Sequence, residues 1–133
     1  MSDSNEYYYK KNENYIIVGL CMEVHRILGP GLLEIVYKDA LEIEFKNNNI
    51  PYEREKEYKV VYKNTILPHN FYADFVVYED IILEVKSVKE INNEHLSRTL
   101  NYMKLADTPI GIIANFQNKS LVHKRLISTN NNL

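Results

Sequence analysis

The stretch ADFVVYEDIILEVKS, residues 73–87, constrains the fold of this chain more than any other. It reads as two apolar strands, 71–78 and 81–87, joined by a short acidic turn. Its valine, isoleucine and phenylalanine content suits a sheet covered on its faces. Three charged residues interrupt it: Asp74, Glu84 and Lys86. Charges inside such a sheet are costly unless they are paired or bound to a metal. Side chains alternate along a strand, so Glu84 and Lys86 point the same way. A two-residue loop at Glu79-Asp80 places Asp74 opposite Val85; a three-residue loop, Tyr78-Glu79-Asp80, pairs Val77 with Ile81 and sets Asp74 across from Glu84. Cross-strand neighbours have Cβ atoms about 5 Å apart. Carboxylates that close raise each other's pKa unless a cation lies between them. The three-residue loop is the expectation. The competing reading is a surface ion-pair ladder on a solvated face, which the apolar residues flanking the charges disfavour.

The remaining chain divides into helical and strand-like segments. From Tyr15 to Leu28, Ile16, Leu20, Val24, Ile27 and Leu28 recur at helical spacing, and Gly29-Pro30-Gly31 stops the helix. A second helix is expected from Leu32 to Lys46, with Leu33, Val36, Tyr37, Ala40, Leu41 and Phe45 on one side. Tyr52 to Ile66 reads as a hairpin turning at Lys63-Asn64. A third helix fits Asn93 to Ala106, capped by an asparagine, with Leu96, Leu100 and Met103 as its apolar stripe. Residues 110–116 (IGIIANF) read as a buried strand and 121–127 (LVHKRLI) as a more exposed one. The order helix, helix, four strands, helix, two strands gives an α/β or α+β sandwich in which the third helix crosses over between strands. One domain over 15–127 is expected, between a flexible N-terminus (1–14) and a disordered tail (128–133).

Composition narrows the function classes. Hydrophobic residues at 45% and charged residues at 26% rule out wholesale disorder. The formal net charge of −2 announces no nucleic-acid partner, so any such surface is a local patch. A single cysteine, Cys21, forbids an internal disulfide and points to a reducing compartment. The polar, tyrosine-rich start lacks the core of a signal peptide, and no apolar run nears the roughly 18 residues that span a bilayer. A cytoplasmic protein without membrane contact is the expectation. His25, His69 and His123 lack metal-type spacing, and no CxxC, P-loop or GxSxG occurs.

Other polar residues have two readings each. Glu34 shares a stripe with Tyr37 and Leu41, so it either borders the core or serves as a first-turn acid favoured by the helix dipole. His95, Arg98 and Tyr102 form a polar stripe on the third helix, either lining a cleft or facing solvent.

Asp74, nine intervening residues and Glu84-Val85-Lys86 resemble the D…(D/E)xK signature of the PD-(D/E)XK nuclease superfamily. The segment VHRILGPGLLEIVYKDAL (24–41), with Gly31-x-x-Glu34-x-x-Tyr37, resembles the motif of the GxxExxY family within it. The likeness extends through YADFVV, ILEVKSV, HLSRTLNYMKLA, GIIANF and KRLI, over about residues 15 to 127. The resemblance implies a restriction-endonuclease-like αβββαβ core, a mixed sheet flanked by helices. It implies Mg²⁺ or Mn²⁺ held by Asp74, Glu84, the Val85 carbonyl and Glu34, with Lys86 orienting or activating the attacking water. Hard oxygen ligands suit that metal, which lowers the pKa of bound water and stabilises charge on a scissile phosphate.

Two departures stand out. Ala73 replaces the proline of the superfamily name, and Arg98-x-x-x-Tyr102 stands where exonuclease-like branches carry Q-x-x-x-Y. Arginine grips phosphate more strongly than glutamine but cannot accept a hydrogen bond. The expected function is metal-dependent phosphodiester hydrolysis, on DNA before RNA, with His95, Arg98 and Tyr102 contacting substrate. The alternative is a weakly active or inactive binding module that works with a protein partner in DNA processing. Self-association is compatible with either.

Overall fold

The structure, a computed structural model, describes residues 10–128. The expected flexible N-terminus and disordered tail fall mostly on residues 1–9 and 129–133, outside the described residues. The elements are α1 (Lys11–Leu28), α2 (Glu34–Asn47), β1 (Tyr52–Tyr62), β2 (Thr65–Val77), β3 (Ile81–Lys86), α3 (Asn93–Ala106), β4 (Ile110–Asn115) and β5 (Val122–Ile127). The five strands form one sheet in sequence order. β3 and β4 pair in parallel and every other neighbouring pair is antiparallel. A parallel pair needs a crossover, and α3 supplies it. No helix among the described residues is long and apolar enough to cross a membrane.

One sheet face packs on α1 and α2 through Ile17, Cys21, Tyr37, Leu41, Phe45, Phe75, Leu83, Val85 and Ile112. The other packs on α3 through Ala73, Val76, Ile82, Tyr102 and Met103. At Gly111 of β4 a Cβ would lie 2.6 Å from Met103 Sδ, so any larger residue there would force the Met103 side chain of α3 to move.

Three expectations need correction. The second strand of the hairpin and the first strand of the Asp74 pair are one element, β2, so five strands replace six. Pro68 lies in an exposed, two-stranded part of it where its missing N–H is tolerated. In α1 the buried stripe is Ile17, Cys21 and Val24; Ile16 and Ile27 are exposed. In α3, Thr99, Tyr102 and Met103 are buried and Leu100 is exposed. Both helices carry apolar residues on more than one side, so periodicity alone left the choice of face open. The boundaries also move: α1 begins at Lys11 and α2 at Glu34, with Leu33 exposed.

Candidate active site

The connection after β2 is the three-residue Tyr78-Glu79-Asp80, with Val77 paired to Ile81. Tyr78 and Glu79 take positive φ angles, 53° and 72°, which closes the turn. The ladder runs through Val76↔Ile82 to Phe75↔Leu83. One step beyond it, Asp74 and Glu84 meet and their side chains take over from the ladder. Asp74 N donates to Glu84 Oε2 at 2.8 Å, and Val85 N donates to Asp74 Oδ2 at 2.8 Å.

Asp74 is also turned by its other neighbour. Phe75 and Val77 face the α1–α2 side while Val76 and Ala73 both face α3, so strict alternation breaks at Asp74. Across from it in β1, between the rungs Arg54↔Phe75 and Lys56↔Ala73, Glu55 has φ 55°. A left-handed non-glycine residue inside a strand twists the ribbon locally.

Glu84 is 3% exposed. Its pKa is pushed up to about 8, first by burial and then by the negative charge of Asp74; the Asp74 N–H, Lys86 and Lys38 act in the opposite direction. The chain thus holds a desolvated acid pair. Lys38 of α2 answers part of the charge: Nζ lies 3.0 Å from Asp74 Oδ1 and 2.7 Å from Glu55 Oε2. Burial pulls its pKa down, but the hydrogen bond to Glu55 and the charge of Asp74 outweigh that, so it is raised and the ammonium persists. Neither Lys38 nor Glu55 was singled out from the sequence. The available signal was that Lys38 stands one helical turn after Glu34.

The Gly31-x-x-Glu34-x-x-Tyr37 spacing has a local cause. Gly31 needs its φ of 88°. Tyr37 OH donates to Gly29 O at 2.7 Å and accepts from Leu32 N at 3.0 Å, while its ring stacks on Phe116 at 4.4 Å. The loop is thereby pinned to α2, and Glu34 Oε2 accepts from Ser87 N at 3.1 Å, directly after Lys86. Glu34 therefore faces the end of β3. Among the described residues, no three acids, histidines or cysteines converge as a ready ion cage.

The stripe on α3 divides. Tyr102 is buried and its phenol pKa is raised, first by burial and then by the charge of Glu84, with Arg98 opposing. Arg98 is exposed and lines a shallow cavity of about 390 Å³ with Phe71, Glu94, Ser97, Asn101 and Tyr102. His95 caps the start of the helix. Its N donates to Asn92 Oδ1 and its Nδ1 accepts from Asn92 N, a reciprocal cap. Buried Asn115, also not foreseen, ties down the loop after Lys86 by accepting from Val88 N and donating to Val88 O.

A profile of the PD-(D/E)XK nuclease superfamily matches residues 11–126. The chain belongs to that superfamily. The mixed sheet flanked by helices is its restriction-endonuclease-like fold. The crystal structure of SSO0001 is similar at a TM-score of 0.58 and 17% identity, over 93% of this chain and 62% of that one. This is a likeness of fold, and the chain spans less than two thirds of that structure. No curated protein matches. The superfamily's chemistry is phosphodiester hydrolysis and its substrates are nucleic acids.

Superfamily nucleases generally use divalent metals. The residues present fit one. Mg²⁺ is commonly bound by one or two carboxylates, with waters and substrate phosphates completing its shell. Asp74 and Glu84 supply that number of hard oxygen ligands, and their mutual repulsion is what a cation relieves.

Proposed function

We propose that this chain is a divalent-metal-dependent nuclease of the GxxExxY branch, hydrolysing phosphodiester bonds in DNA before RNA. The observation that carries the reading is the Asp74–Glu84 lock, in which a 3%-exposed Glu84 faces a second acid one rung beyond the last paired one. The GxxExxY assignment rests on Gly31, Glu34 and Tyr37 acting as one unit. The preference for DNA rests on the restriction-endonuclease-like resemblance.

Asp74, Glu84 and the Val85 carbonyl are the residues that would hold Mg²⁺ or Mn²⁺, with Glu34 reaching the site from the side of Ser87. When bound, the metal supplies an acidified water and a positive charge for the phosphate. Lys86 shares the Glu84 side of β3 and would orient that water and offset phosphate charge. Tyr102 borders the same acids from α3, Arg98 stands beside Tyr102, and both would position the backbone of the substrate. His95 supports them by fixing the start of that helix.

A second reading has one observation in its favour. Lys38 already neutralises Asp74, as a site used for binding and not for metal chemistry would tolerate. In that case the chain is an accessory module that grips nucleic acid beside a protein partner or a second copy.

The test is cleavage of end-labelled single- and double-stranded DNA, and of RNA, with Mg²⁺ or Mn²⁺ and with chelator. The expected result is metal-dependent cleavage that Lys86→Ala lowers at least a hundredfold, in the range of lost acid–base or charge assistance. Binding without cleavage selects the accessory reading. Cleavage retained by Lys86→Ala rejects the assigned site.

A further inference from the structure

Some phosphodiesterases work with two metal ions. In such enzymes two cations about 3.5–4 Å apart clamp the attacking and leaving oxygens. Here the candidate shared acid, Asp74, is divided between two partners. Its Oδ2 is turned to Val85 N on the Glu84 side, and its Oδ1 lies 3.0 Å from Lys38 Nζ. The Lys38 side chain is only 10% exposed, and its Nζ also lies 2.7 Å from Glu55 Oε2. Glu55 reaches it from a left-handed backbone in the middle of β1, at φ 55°. Strained backbone of this kind persists where the surroundings hold it, and it clusters at functional sites.

Resting on the metal-dependent reading above, we propose that Lys38, braced by Glu55, is a resident counter-ion in the place of a second metal, so that the site takes one divalent ion and not two. Lys38 and a second ion would compete for the same oxygens. A second divalent ion beside Asp74 needs Oδ1 and a further carboxylate. Among the described residues the Lys38 ammonium bonds both Asp74 Oδ1 and Glu55, the further carboxylate at hand. A covalently attached cation needs no loading from solution, and it supplies one positive charge beside the Asp74–Glu84 pair.

Equilibrium dialysis of the full chain against Mn²⁺ counts the ions directly. The expected result is one ion per chain for the unaltered protein. Lys38→Gln frees Asp74 and Glu55 and raises the count to two; adding Glu55→Gln to that variant returns it to one. Two ions in the unaltered chain overturn the proposal, and so does a count of one in Lys38→Gln. If Lys38→Gln does not fold, the unaltered chain still decides between one ion and two. No Mn²⁺ bound to the unaltered chain instead overturns the metal-dependent reading on which the proposal rests.

Discussion

Glu84 joins fold and chemistry in a single side chain. Buried beside Asp74, it holds its proton to about pH 8, whereas the free side chain releases it near 4.5. The sign of the stability effect follows. Below about pH 4.5 both states carry the proton and the favourable contribution of the neutral form is fully present. As pH rises toward about 8 the unfolded chain has released its proton and the folded chain has not, so that contribution is progressively lost. In metal-free buffer, thermal stability is therefore expected to decline across this window, and Glu84→Gln is expected to flatten the decline. Melting curves in chelator at several pH values measure it; an unchanged slope in the variant would show that other groups carry the titration. Cys21 is the contrast. Burial alone pushes its thiol up to about 12, which leaves it protonated and inert in the folded chain.

At the level of elements, the Gly29-Pro30-Gly31 break matters because it starts α2 in a defined orientation. Tyr37 is the clasp. Its hydroxyl joins Gly29 O and Leu32 N, and the same loop offers Leu32 O to Ser87 Oγ at 2.8 Å. α2 is then fastened along β1. Lys38 reaches Glu55, while Asp39 and Glu42 reach Arg54 at 2.8 and 2.9 Å. Tyr37→Phe keeps the stacking on Phe116 but strips a partner from two backbone groups. The expected cost is about 1–3 kcal/mol, the range for leaving buried polar groups unsatisfied. Urea unfolding reads it as a lower midpoint at unchanged slope. A midpoint within error of the parent would mean that water satisfies the loop and the clasp is dispensable.

On the scale of the whole molecule, the sheet separates two tasks. α1 and α2 fill one face with the larger apolar cluster, and α3 covers the other while bringing Tyr102 to the acids and Arg98 beside Tyr102. With a net charge of −2, the chain has no general attraction for a polyanion, so each correctly placed cation counts. Arg98→Ala is expected to weaken binding to a short DNA duplex most strongly at low salt. It is also expected to reduce the slope of log affinity against log salt by about 0.9, the value of one phosphate contact. Fluorescence anisotropy over a salt series provides the measurement. Identical slopes for parent and variant would make Arg98 a solvated surface residue.

Local rules made much of this molecule legible. The parity of β3, the odd-length Tyr78-Glu79-Asp80 turn and the Lys63-Asn64 hairpin follow from backbone geometry within a few residues, and the structure shows each of them. The register that brings Asp74 to Glu84 follows from the turn alone. Helix faces were not legible, because Ile16 and Ile17 are equally apolar and only the position of the sheet decides that Ile17 is buried. The cap that the His95 ring closes three residues back is a contact its place in the Arg98–Tyr102 stripe does not announce. The meeting of Lys38 with Glu55 and Asp74 was not legible for a deeper reason. Lys38 and Glu55 are 17 residues apart, and Lys38 is 36 residues from Asp74. No periodicity links such positions. Backbone parity and the turn length suffice for the strand pair and the acids it carries. Only the packing of α2 against β1 and β2 decided which charge stands beside them, because that contact depends on where distant surfaces meet.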